Sequence, residues 1–145
     1  MKPRALLQLL AAAFLSSAVS FASFAADAKA ESKTEAKPAV KNIKVADAAK
    51  LLAEKKEVVV LDVRTPEEFK EGHLKGAVNI NIQSPTFKED VSKLDKSKTY
   101  LVNCAAGGRS TRACNAMGGF GFKDTLNLQG GFNAWSAAGQ PVVKP

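Results

Sequence analysis

The sequence predicts a single α/β domain, a mainly parallel sheet covered by helices on both faces. Three observations carry this. The run Val58-Val59-Val60-Leu61 is continuously apolar, as a strand buried on both faces requires. The stretch before it, Val45 to Lys56, instead places Ala48, Ala49, Leu51 and Leu52 on a helical period. Strand and helix patterns then alternate to the end of the chain, and such alternation forces crossover connections between parallel strands.

The elements follow in order. Thr65-Pro66-Glu67-Glu68 opens a short helix: Thr65 can cap it, Pro66 fits the first turn, and the two acids suit the positive end of the helix dipole. Gly72 ends it. Ala77 to Ile82 reads as a short strand, and Ser84-Pro85 opens a helix running to about Leu94. Thr99 to Asn103 is a third strand, Ser110 to Met117 a helix ended by Gly118-Gly119, and Thr125 to Leu128 a last strand. Gly130-Gly131 precedes a closing helix near Phe132 to Ala138.

The N-terminal stretch does not belong to this domain. Lys2 and Arg4 precede an apolar run from Leu6 to Val19 broken only by Gln8, Ser16 and Ser17, and Ser23-Phe24-Ala25 offers small residues for a signal peptidase. The run is too short and too rich in Ala and Ser for a membrane span of about 20 apolar residues. Residues 1–25 are therefore expected to be a cleaved secretory signal, and the product periplasmic or secreted, with no membrane association after cleavage. Residues 26–41 are small and charged and read as a flexible linker. The folded domain is expected over residues 42–145, long enough to bury a core unaided.

The chain carries a formal charge of +7, two units of which fall on Lys2 and Arg4. The remaining basic residues are mostly lone lysines among acids, with no Arg-rich stripe. That argues for a solvated surface and against a nucleic-acid partner. Two cysteines and one histidine are too few and too scattered for a metal site. Nothing in the sequence demands more than a monomer.

The chemistry concentrates in Cys104-Ala105-Ala106-Gly107-Gly108-Arg109-Ser110. Cys104 ends a buried strand and a helix follows closely, the place where open α/β sheets bind ligands. The segment between has almost no side chain, so successive backbone N–H groups can converge on one point and cradle an anion. The positive end of the next helix points the same way, and Arg109 adds a fixed charge. Each feature favours a thiolate over a thiol and would stabilise an anion held covalently on sulfur. A glycine-rich turn around a structural cysteine remains the alternative reading of the loop alone.

Three motifs in order make the chain resemble a single-domain rhodanese, a sulfurtransferase, over about Ile43 to Val143. They are Leu61-Asp62-Val63-Arg64-Thr65-Pro66-Glu67-Glu68-Phe69 with Gly72-His73-Leu74-Lys75-Gly76-Ala77-Val78-Asn79-Ile80; the Cys104 loop with Ala113 and Cys114; and Leu128-Gln129-Gly130-Gly131-Phe132-Asn133-Ala134-Trp135. The resemblance implies five mainly parallel strands with helices on both faces. It also implies a mechanism without a cofactor. Cys104 takes the outer sulfur of thiosulfate or a similar small anionic donor as a persulfide, then yields it to cyanide or to a thiol acceptor, a small molecule or a protein. Ala105, Ala106, Gly107, Gly108, Arg109 and Ser110 would bind the substrate. The six residues from Cys104 to Arg109 make a loop one shorter than in the similar cell-cycle phosphatases, which favours sulfur over phosphoryl chemistry and ranks a phosphatase or arsenate reductase below a sulfurtransferase. Some members of the family carry a basic residue inside the loop; here Arg109 is its only cation.

The remaining candidates have plainer readings. Asp62 and Arg64 end a buried strand beside the loop and are expected to support it, by pairing with each other or by Asp62 accepting from Arg109. His73 is expected to hold the turn Gly72-His73-Leu74 rather than act as a base. Phe132 and Trp135 should anchor the closing helix in the core, and Phe120 and Phe122 should pack likewise. Cys114 should face the sheet; a disulfide to Cys104 is the alternative to a free thiol in an oxidising compartment. A non-catalytic docking module, or thiol–disulfide exchange between the two cysteines, are the competing functions.

Overall fold

A computed structural model describes residues 39–144. The expected signal, residues 1–25, and all but the last residues of the expected linker lie outside the described residues. The chain order is β1 (Lys41–Ile43), α1 (Val45–Glu54), β2 (Val59–Asp62), α2 (Pro66–Glu71), β3 (His73–Leu74), β4 (Val78–Asn79), α3 (Phe87–Ser92), β5 (Thr99–Asn103), α4 (Gly108–Gly119), β6 (Asp124–Leu128), α5 (Gly131–Ala137) and β7 (Val142–Val143). Five strands form one parallel sheet in the order β1-β6-β5-β2-β4, and β3 pairs antiparallel with β7 in a separate ribbon. The expected fold class is the observed one.

The sheet divides the core in two. Alternate residues of β2 and β5 point to opposite faces. Leu61, Tyr100 and Val102 pack with Phe87 and Val91 of α3 and Ala113, Cys114 and Met117 of α4. Val60 and Leu101 pack with Ala48 of α1, Trp135 of α5 and Leu74. Tyr100 meets Phe122 edge-on at 5.3 Å between ring centroids, and Trp135 places its indole N–H 3.0 Å from the Pro141 carbonyl. Phe122 and Trp135 take the core roles expected of them. Among the described residues no helix is long and apolar enough to cross a membrane.

The boundaries differ from expectation for local reasons. The sheet begins with β1 at Lys41, which pairs with Leu126 in register and places its ammonium 2.8 Å from Asp124. β4 shrinks to Val78–Asn79 because β2 ends at Asp62, opposite Asn79. α3 starts at Phe87 rather than Ser84: the Ser84 hydroxyl accepts from the Thr86 N–H at 3.2 Å, which makes a turn where a first helical turn was expected. α2 starts as expected. Thr65 and Glu68 form a reciprocal capping box, the Glu68 N–H donating to the Thr65 hydroxyl and the Thr65 N–H to Glu68.

Asp62 and Arg64 form a buried ion pair, with Arg64 Nη2 2.6 Å from Asp62 Oδ2 and side chains 4% and 0% exposed respectively. Arg64 Nε donates to the same carboxylate, Nη2 also donates to the Gly72 carbonyl at 2.7 Å, and the guanidinium lies 4.2 Å above the Phe132 ring. The expectation that Asp62 could accept from Arg109 is corrected, since Arg64 occupies the carboxylate. Removing one partner strands a buried charge. Asp62→Ala is therefore expected to cost ~3–5 kcal/mol of stability, read as a lower urea midpoint at an unchanged m-value.

Candidate active site

Cys104 follows β5, the central strand of the sheet, and is 1% exposed. Its sulfur sits beneath the start of α4. Gly107 adopts φ +103, a left-handed conformation that suits glycine, and this bend aims the Gly107 N–H at Sγ from 3.0 Å. α4 consequently starts at Gly108, two residues before the expected Ser110. Ser110 is fully buried, with Oγ 3.4 Å from Sγ.

These dipoles decide the charge on sulfur. Burial alone would raise the Cys104 pKa, but the Ser110 hydroxyl and the backbone N–H groups of Ser110, Gly107 and Ala106 outweigh it and hold the thiol below its ordinary value. The loop does what its composition predicts, through N–H groups. Arg109 is the correction. Its Nη1 and Nη2 donate to Glu68 Oε2 and Oε1 at 2.7 and 2.6 Å, so the expected cation of the loop is held by an acid from α2. The Arg109 hydrogen bond, working against burial, lowers the Glu68 pKa to about 2. Glu68 therefore stays charged at any physiological pH. The stability this pair lends is present above the ordinary carboxyl value and is lost as pH falls toward 2.

Behind the loop runs a chain of amides and hydroxyls. Ser110 Oγ lies 2.6 Å from Asn127 Oδ1 and 3.0 Å from the Gly107 carbonyl. Asn127 Nδ2 donates to Asn42 and Thr111, at 2.8 and 3.0 Å. A hydroxyl has one proton and cannot serve three acceptors at once. A negative sulfur draws it from a neutral carbonyl, because charged acceptors bind hydrogen more strongly. Ser110→Ala is thus expected to slow iodoacetamide alkylation of Cys104 about tenfold near neutral pH, the loss of one hydrogen bond to a charged group. An unchanged rate would mean that the backbone N–H groups hold the thiolate alone.

The base of the cradle comes from α5. The Phe132 N–H donates to the Cys104 carbonyl at 2.6 Å and the Asn133 N–H to the Ala105 carbonyl at 3.0 Å. Gly131, at φ +57, sits so close that an added Cβ would meet the carbonyls of Cys104 and Ala105. The Gly130-Gly131-Phe132 motif was legible as a helix start, but its seat under the loop was not.

The other expected site residues divide by depth. Ala106 and Gly108 are exposed, Ala105 and Arg109 half-buried, and Gly107 and Ser110 buried against the sulfur. Asn103, next to Cys104, has both amide atoms buried without a hydrogen-bond partner among the described residues, an unfavourable arrangement. His73 Nδ1 lies 2.9 Å from the Phe69 carbonyl and its ring stacks on Phe69 at 3.8 Å, which ties α2 to the turn as expected. Cys114 is a free thiol like Cys104. Burial pushes it up to about 11, against a hydrogen bond with Thr125, so it is protonated and unreactive. Among the described residues no cluster of metal-ligating side chains occurs.

A fold with a low-pKa cysteine under a backbone N–H cradle, at the carboxyl end of a central parallel strand, defines a thiolate enzyme of α/β type. The rhodanese-like domain family model matches residues 45–138, and the chain belongs to that family. It is 38% identical over 92 residues to the chloroplastic thiosulfate sulfurtransferase 16 of Arabidopsis thaliana, covering 57% of this chain and 77% of that protein. It is 32% identical over 94 residues to a sulfurtransferase of Allochromatium vinosum, covering 65% and 86% of the two chains. Among solved structures, a rhodanese-related protein from Thermoplasma volcanium superposes with a TM-score of 0.65 at 32% identity, covering 72% of this chain and 99% of that one.

Proposed function

We propose that this protein is an exported sulfurtransferase that carries sulfane sulfur on Cys104. The observation that carries the reading is the convergence of the Gly107 N–H and the Ser110 hydroxyl on a buried Sγ whose pKa lies below the ordinary thiol value. The Cys104 thiolate attacks the outer sulfur of thiosulfate or a similar donor. A bond forms between Sγ and that sulfur, the donor's S–S bond breaks, and sulfite leaves with the electron pair. The resulting persulfide is an anion whose outer sulfur lies about 2 Å beyond Sγ. A thiolate or cyanide then attacks the outer sulfur and returns the electron pair to Sγ. No step calls for a cofactor, because the sulfur atom supplies both nucleophile and leaving group.

The sulfurtransferase names of the relatives support this chemistry, and the six-residue loop from Cys104 to Arg109 favours sulfur over phosphoryl transfer. The apolar N-terminal run supports export to the periplasm or medium, and the absence of an Arg-rich stripe supports small molecules and thiols as partners. Mass spectrometry of the reduced protein before and after thiosulfate tests the reading. The expected result is one added sulfur, on the tryptic peptide containing Cys104. An unmodified Cys104 with every sulfane donor tried would remove the basis for it.

A further inference from the structure

We propose that Glu68 sets the charge of the donor. By holding Arg109 it makes the loop prefer alkyl persulfides, with one negative charge or none, over dianions such as thiosulfate. This rests on the sulfur-transfer reading above and specifies its substrate class.

The geometry is a two-point clamp. Both terminal nitrogens of Arg109 are committed to the two oxygens of one carboxylate, at 2.6 and 2.7 Å. Such fork-to-fork pairs are the strongest form of this contact. Glu68 is itself pinned, because the Thr65 N–H donates to Oε2 at 3.0 Å within the α2 capping box. The side chains of Arg109 and Glu68 are 21% and 31% exposed, so the pair is partly withdrawn from water and weakly screened by salt. The neighbouring pair, Asp62 with Arg64, is also matched internally. Four charged side chains thus stand by the loop with no net charge between them.

What remains to hold an anion is the set of loop N–H groups, and these already serve the thiolate or the persulfide that replaces it. A dianion brings a second charge, and the one cation of the loop, Arg109, is already held by Glu68, so the dianion must compete with that carboxylate for it. An alkyl persulfide brings at most one charge. Its transfer balances without a further reagent: the Cys104 thiolate attacks the terminal sulfur of R–S–SH, the S–S bond breaks, the organic sulfur leaves with the electron pair, and it takes the proton as R–SH. Glu68 is on this account a positioning residue that acts through Arg109.

The test compares kcat/KM for thiosulfate and for 2-hydroxyethyl persulfide, with cyanide as the common acceptor. Wild-type protein is expected to favour the persulfide. Glu68→Gln keeps an oxygen for the Thr65 N–H but removes the charge. It is expected to raise the thiosulfate-to-persulfide ratio about tenfold, through a lower KM for thiosulfate, and Glu68→Gln with Arg109→Gln is expected to lose that gain. Three outcomes would overturn the proposal: a wild-type preference for thiosulfate, which needs no variant to fold; an unchanged ratio in a folded Glu68→Gln; or a gain that survives in the double variant. If the wild type takes sulfur from neither donor, the sulfur-transfer reading fails first. If it takes sulfur from both and the ratio does not move, this inference alone fails.

Discussion

Cys104→Ser is expected to abolish thiocyanate formation from thiosulfate and cyanide, by about a thousandfold or more, while leaving the thermal midpoint close to that of the wild type. Serine is nearly isosteric, and its hydroxyl can accept from the Gly107 N–H that now lies 3.0 Å from Sγ. The fold therefore loses little. The chemistry loses its nucleophile, because the cradle that holds a thiol below its ordinary pKa cannot ionise a hydroxyl near neutral pH. The same lowered pKa fixes the pH dependence of the wild type. The alkylation rate of Cys104 should rise with pH and reach its plateau below the ordinary thiol range, as the thiolate population saturates. Cys114, pushed up to about 11, should contribute no reactive thiol over that range. Residual turnover in Cys104→Ser within tenfold of wild type would mean that another group carries the sulfur.

Gly131→Ala is expected to be the most damaging single-methyl change in the domain. Gly131 has φ +57, and the added carbon would lie 2.7 Å from the Ala105 carbonyl oxygen as well as against that of Cys104. Both obstacles are backbone, so no side chain can swing aside. The N-terminus of α5 must move off the loop, weakening the Phe132 and Asn133 N–H bonds to the Cys104 and Ala105 carbonyls. Overpacking together with left-handed strain costs about 3 kcal/mol or more, and a domain of this size then melts more than about 10 °C lower. Any protein that folds should show slower alkylation of Cys104, because the loop has lost its base. Gly108→Ala is the control for stability: its Cβ would meet nothing within 4 Å, and the midpoint should hardly move. Equal midpoints for the two variants would contradict the close seating of α5 on the loop.

The contrast between these glycines shows which parts of the molecule the sequence discloses. Gly107 was legible because a strand, a cysteine and a run of small residues precede a helix, and local chemistry alone forces the N–H groups together. The capping of α2 by Thr65 was legible for the same reason, since its partner stands three residues away. Glu68 was legible only as an acid in a first helical turn. Its second role joins it to Arg109, 41 residues along the chain, and no local pattern encodes that distance. Gly131 is similar: its place under Cys104 depends on how α5 docks across the sheet. β1 and the β3–β7 ribbon escaped because two or three residues are too few to show a period of two. Asn127 escaped because a lone asparagine in a strand gives no sign that its amide meets Ser110 of the overlying α4. Cys104 and its loop were legible in residue and in place at the end of a buried strand, whereas the network that sets its charge was legible only in part.

Whether Cys104 carries the sulfur is read by intact-protein and peptide mass spectrometry of wild type and Cys104→Ser after thiosulfate, followed by cyanide. The expected result is one added sulfur on the Cys104 peptide of the wild type, its loss on cyanide with release of thiocyanate, and no addition to the variant. Sulfur bound in the variant, or none bound in a wild type that still turns over, would contradict a persulfide on Cys104.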